Sequence, residues 1–192
     1  MKHRLFYRIL GMFKKTGANW DKLAPTKDTA IDFAHTHINP EPVPKIDDTH
    51  FSWEYCLAHS GEMLNDRLRG DRLDDDDRAI MEMVSKHSCD TDLVLYRGVH
   101  DEIFSMMLDN AKGLDGVDLL EKGYLYCSLV KGHETHCRIR LRIFAPAGST
   151  VVYSGNVNNE QGYYEAVVQH GAKLKLVSCD RDYINCLLLG TE

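Results

Sequence analysis

Long hydrophobic runs are missing from this 192-residue chain. No apolar stretch approaches the ~18–20 residues needed to cross a bilayer, so no transmembrane segment is expected. Paired cysteines are missing too: Cys56, Cys89, Cys127, Cys137, Cys179 and Cys186 are scattered, with no CxxC. That spacing favours reduced thiols over a disulfide framework. His133, His136 and Cys137 lie close together but lack the regular ligand spacing of a structural zinc site, so no metal is expected. Cys127 has no histidine fixed beside it and reads as a small apolar residue. Neither glycine signature of nucleotide-binding α/β proteins occurs. Positive charge is in deficit: the net charge is −6. A general nucleic-acid binder carries a basic face, so that class is disfavoured, although a locally basic pocket is compatible. Arg8 interrupts the apolar core that a secretory signal would need, while the lack of acidic residues before Asp21 is compatible with an organellar transit peptide.

What remains suits one compact domain with 43% hydrophobic residues. Leu5, Phe6, Ile9, Leu10 and Phe13 recur at helical spacing among Arg4, Arg8, Lys14 and Lys15. Residues 1–15 therefore read as a basic amphipathic helix, docked on the domain or resting weakly on a membrane. A connector follows, with a short helix over Ala30–His37 closed by Pro40, Pro42 and Pro44. A helix is expected over Phe51–Leu68, and another from Asp74, where the run Asp74–Asp77 complements the helix dipole rather than collecting on one ion. After Asp90 the pattern changes. Leu93–Tyr96, Gly123–Leu129, Val151–Tyr153 and Lys173–Val177 read as strands, and Tyr183–Leu189 is apolar enough for a buried strand that closes the sheet. Arg138–Phe144 alternates strictly, one face cationic and one apolar. Helices first and strands later mean an α+β fold rather than a βαβ repeat.

Three residues carry chemistry. Arg97 ends an apolar strand before Gly98. Its planar fork of donors suits phosphate, and the glycine lets a backbone come close. Glu165 opens the run Ala166-Val167-Val168 after the turn-prone segment Asn156 to Gly162. A carboxylate held at a strand mouth can stabilise an oxocarbenium-like sugar. Ser128 ends Gly123-Tyr124-Leu125-Tyr126-Cys127-Ser128 and adds a hydroxyl.

In this order the chain resembles the mono-ADP-ribosyltransferases of the Arg-Ser-Glu type, the group of clostridial and related bacterial exoenzyme toxins. Leu95-Tyr96-Arg97-Gly98-Val99 resembles that family's NAD-binding Arg strand, and residues 59–70 resemble the helix pair before it. Residues 122–129 resemble the strand with the Ser-Thr-Ser motif. Arg140 to Gly148 resembles the next strand and its turn. Residues 165–177 resemble the strand that begins with the catalytic Glu.

The resemblance implies N-terminal helices packed on a split, bent β core with NAD, as substrate, in the cleft. Residues 1–50 are then an extension and 51–192 the catalytic domain. It implies that Arg97 binds the phosphates of NAD and that Gly98 meets the nicotinamide amide. Ser128 shapes the nicotinamide site, and Glu165 acts on the nicotinamide ribose. Two positions depart from the pattern. Tyr126 stands where the family's first Ser supports the catalytic Glu. Tyr163 stands where arginine-modifying members carry a second Glu. Tyr163 and Tyr164 then form a platform for another acceptor.

The implied partners are NAD and a macromolecular acceptor, protein first, with nucleic acid left open. The neighbouring readings are an NAD glycohydrolase and a catalytically degenerate domain that binds NAD or a partner. The chain is expected in the cytoplasm where it is made, or delivered as an effector by a non-classical route.

Overall fold

The computed structural model describes residues 16–38, 53–155 and 162–192. The basic helix expected over residues 1–15, the Pro40–Pro44 cluster and the turn at 156–161 lie outside the described residues. Six helices are described: α1 (Thr16–Trp20), α2 (Ala30–His37), α3 (Trp53–His59), α4 (Gly61–Arg69), α5 (Asp75–Ser85) and α6 (Asp101–Asn110). The strands are β1 (Leu93–Val99), β2 (Leu119–Glu121), β3 (Leu125–Ser128), β4 (Ile139–Ala145), β5 (Val151–Tyr153), β6 (Glu165–Val168), β7 (Ala172–Cys179) and β8 (Ile184–Gly190).

The strands run in the order β2-β7-β8-β4-β1-β3-β6-β5, antiparallel throughout except for β4 beside β8. The sheet is split as expected. Its two halves, β2-β7-β8-β4-β1 and β3-β6-β5, join through a single register pair, Tyr96 opposite Ser128.

Alternation along the strands explains the layers. Leu93, Leu95, Leu141 and Ile143 of the larger half meet Leu125, Cys127, Val151, Ala166 and Val168 of the smaller half in one core. Ala34 of α2, Ile38 just after it, and Met107 of α6 join it. The other face of the small half, Tyr124, Val152 and Val167, is covered by Leu57, Leu64, Leu68, Ile80 and Val84 of α3 to α5. The other face of the large half, Val94, Tyr96, Phe144 and Leu187, carries Trp20 of α1.

Three elements differ from the sequence reading. The helix expected over Phe51–Leu68 is two helices that break at Ser60, and the Tyr126 ring packs against Gly61, where an added Cβ would stand 3.2 Å from it. The three-residue β2, Leu119-Leu120-Glu121, was not anticipated. The apolar strand expected to close the sheet, β8, lies inside it, between β7 and β4. The cationic stripe Arg138-Arg140-Arg142 runs from an exposed end at Arg138 to a buried one at Arg142. Arg142 is buried, stacked 4.6 Å from the Tyr183 ring centroid, and paired with Asp21 and Asp180.

Candidate active site

The seam between the half-sheets gathers the residues singled out in the sequence. In the β3–β6 register Ser128 stands opposite Glu165, and Ser128 is also the residue paired with Tyr96, next to Arg97. Beyond that pair β1 and β3 diverge. Arg97 fills the gap and donates from Nη1 to the carbonyls of Tyr126 (3.2 Å) and Tyr124 (3.4 Å). Its Nη2 lies 3.9 Å from Glu121 Oε2, and its Nε is buried with no partner. Arg69, at the end of α4, makes a two-point bond to the same carboxylate at 2.9 and 2.8 Å. Two nearly buried guanidiniums thus share the Glu121 carboxylate, and Arg69 also pairs with Asp66 at 3.8 Å, while Arg97 keeps one donor without a partner.

Glu165 is half-buried, and its Oε1 accepts from the Ser154 hydroxyl at 2.7 Å. The Ser128 hydroxyl is used locally: it donates to the Val130 carbonyl at 2.9 Å and accepts from the Val130 N–H at 3.0 Å. Tyr126 does not reach the carboxylate. Its hydroxyl donates to the Leu57 carbonyl at 2.8 Å. Burial pushes the Tyr126 phenol well above its usual range, the Glu165 charge adds to the rise, and the Arg97 charge opposes it. Behind it the Cys127 thiol is pushed up to about 12, chiefly by burial, so it is no nucleophile at neutral pH.

The β3–β4 connection covers this seam. The Thr135 carbonyl lies so close to Gly98 that an added Cβ would stand 1.9 Å from it, so the backbone that meets Gly98 is the chain's own. His133 donates from Nδ1 to the Gly162 carbonyl at 2.7 Å and packs edge-on against Tyr164. Glu134 is buried and accepts from Tyr183 Oη at 2.6 Å. The space left beside Glu165, walled by Tyr126, Ser128, Glu134 and Tyr163 among others, is about 40 Å³. That is room for about one or two waters. Arg97 and Gly98 stand outside its walls. A second hollow of about 270 Å³ lies on the outer side of Gly132–His136, with Tyr163 in its wall. A further hollow of about 350 Å³ lies between Pro146–Thr150 and Leu187–Thr191 and is lined by no titratable side chain.

The two tyrosines before Glu165 differ. Tyr163 is 49% exposed, whereas Tyr164 packs against the core and holds φ at +47°, a left-handed conformation uncommon for a bulky side chain. Among the described residues no group of three His, Cys, Asp or Glu side chains is placed to hold a metal ion. Sequence reasoning missed Arg69, Glu121 and Ser154. Ser154 was within reach: Val152 and Ser154 alternate on one face, and pairing that hairpin with β6 sets Ser154 beside Glu165.

No family model and no curated protein matches the chain. Solved structures do. The Plx2a ADP-ribosyltransferase toxin from Paenibacillus larvae aligns with a TM-score of 0.64 at 18% identity, over 85% of this chain and 96% of that one. The C3 exoenzyme from Clostridium limosum gives 0.61 at 16% identity, over 86% and 96%. C3stau2 from S. aureus, solved with NAD, gives 0.53 at 16%, over 74% and 89%. The chain has the ADP-ribosyltransferase fold.

Proposed function

We propose that the chain is an NAD-dependent mono-ADP-ribosyltransferase of the Arg-Ser-Glu type, which releases nicotinamide and transfers ADP-ribose to a macromolecular acceptor. One observation carries the reading: the split seam sets Glu165 opposite Ser128 and next to the strand pair that presents Arg97. The bond to be broken joins a sugar C1′ to a pyridinium nitrogen. Nicotinamide leaves as a neutral ring, so no general acid is needed, and positive charge grows on the ribose. A fixed carboxylate is suited to that charge, and Glu165 supplies it while accepting from the ribose 2′-hydroxyl. Arg97, whose Nε has no partner within the protein, offers the diphosphate planar donors, and Arg69 holds Glu121 beside it.

Exposed Tyr163, in the wall of the outer hollow, faces the acceptor, while Tyr164 holds the turn in shape. With Tyr163 in place of a second carboxylate, the acceptor is a group other than arginine. We assign the catalytic unit to residues 51–192, with Trp20 and Asp21 clamping the preceding segment onto it. An effector that acts on another cell fits the toxins and exoenzymes that share the fold.

The test is incubation of the full chain with NAD labelled on the adenylate, with and without a cell lysate. Label bound to a macromolecule supports transfer. Label only in free ADP-ribose makes the protein a hydrolase, and intact NAD in both arms contradicts the reading.

A further inference from the structure

We infer that Ser154 is a positioning residue for Glu165. The inference rests on the transferase reading for its kinetic consequence, but the contact itself does not. Ser154 is fully buried, immediately after β5, and its hydroxyl lies 2.7 Å from Glu165 Oε1. A hydroxyl donating to an ionised carboxylate makes one of the shorter and stronger hydrogen bonds in proteins. The backbone fixes the geometry. Tyr153 pairs with Ala166, and the next rung closes with the Ser154 N–H on the Glu165 carbonyl at 3.0 Å. Antiparallel pairing therefore puts both side chains on the same face of the sheet.

The two hydroxyls that β3 brings to the space beside Glu165 are both committed elsewhere. Ser128 exchanges hydrogen bonds with Val130, and Tyr126 donates to the Leu57 carbonyl. The hydroxyl that holds the carboxylate therefore comes from the β5 side of β6, not from β3. Anchoring one oxygen sets the plane of the carboxylate and so the direction of the other. Small errors in that direction matter, since a misplacement of about 1 Å at a reacting group costs about 100-fold in rate.

The experiment compares the wild type, Ser154→Ala and Ser154→Thr, each checked for thermal unfolding, in nicotinamide release and by crystallography. Ser154→Ala is expected to lower kcat about 10- to 100-fold with the KM for NAD unchanged. Ser154→Thr, which keeps the hydroxyl, restores kcat. In crystals, the Glu165 carboxylate keeps its rotamer in the wild type and in Ser154→Thr and turns in Ser154→Ala. Wild-type kcat in Ser154→Ala, or an unmoved Glu165 in its crystal, overturns the inference. A wild type that releases no nicotinamide sinks the transferase reading instead, and the two crystal forms still decide the role of Ser154.

Discussion

At the scale of single residues, the site is a set of polar groups whose state is fixed by burial and by one or two neighbours. Cys127 shows the point. It lies in the wall of the small space beside Glu165, yet its thiol is pushed up to about 12. Iodoacetamide at pH 8 should therefore modify the exposed Cys179 and leave Cys127 intact in the folded protein, as read by peptide mass mapping. Rapid alkylation of Cys127 would mean that the seam is open in solution. Arg97, Ser128 and Glu165 stood out in the sequence because each ends or opens an apolar run in a fixed order, and the roles proposed for them come from the resemblance. Their partners did not stand out. Glu121 sits in a three-residue strand, and Arg69 reads as an ordinary basic helix end until the fold brings them together.

Helix α5 shows how far the sequence reaches at the scale of an element. The run Asp74–Asp77 marks a helix start, and it forms a full capping box: Asp77 N–H donates to Asp74 Oδ1 at 2.8 Å, and Asp74 N–H donates to Asp77 Oδ2 at 3.2 Å. What no local pattern reveals is the second use of Asp77. It is fully buried and takes a two-point bond from Arg67 of α4 at 2.7 and 2.5 Å. That bond holds the Asp77 carboxyl below the usual carboxylate range. Asp77→Ala removes the box and the inter-helix pair together, and is expected to cost about 2–4 kcal/mol of stability in urea unfolding. A change within about 0.5 kcal/mol, the range of a neutral surface substitution, would show that the pair carries no net weight. The break between α3 and α4 falls at Ser60-Gly61, a pair of weak helix formers, and the Tyr126 ring packs against Gly61 there.

The whole molecule is two half-sheets around one core, clamped at one end by a charged cluster. Asp21 beside α1 accepts from Tyr96 Oη at 2.8 Å and pairs with Arg142 and Lys131, while Asp180 pairs with Arg142 from the far side. Lys131 belongs to the segment over the seam, so the cluster links the N-terminal helix to the cover of the site. Burial alone would raise the Asp180 carboxyl. The Arg142 bond and the N–H groups of Asp182 and Tyr183 outweigh it and hold it at about 2. A folded-state value below the ordinary 3.8 stabilises the fold above that pH, and the contribution fades as pH falls toward 2. Thermal melts from pH 5 to pH 2 should fall less steeply in Asp180→Asn than in the wild type, and an identical slope would remove Asp180 from the acid response.

The α+β class and the split sheet followed from helices preceding strands and from the resemblance. The single-pair seam followed from neither, because strand order is set by long-range register and not by any local run. The central claim is that Glu165 acts on the bond while Arg97 holds the substrate, and the most direct test separates the two. NAD binding and nicotinamide release are measured side by side for Glu165→Ala and Arg97→Ala. Glu165→Ala is expected to bind NAD as the wild type does and to release no nicotinamide, while Arg97→Ala loses affinity. Full turnover by Glu165→Ala would contradict the account.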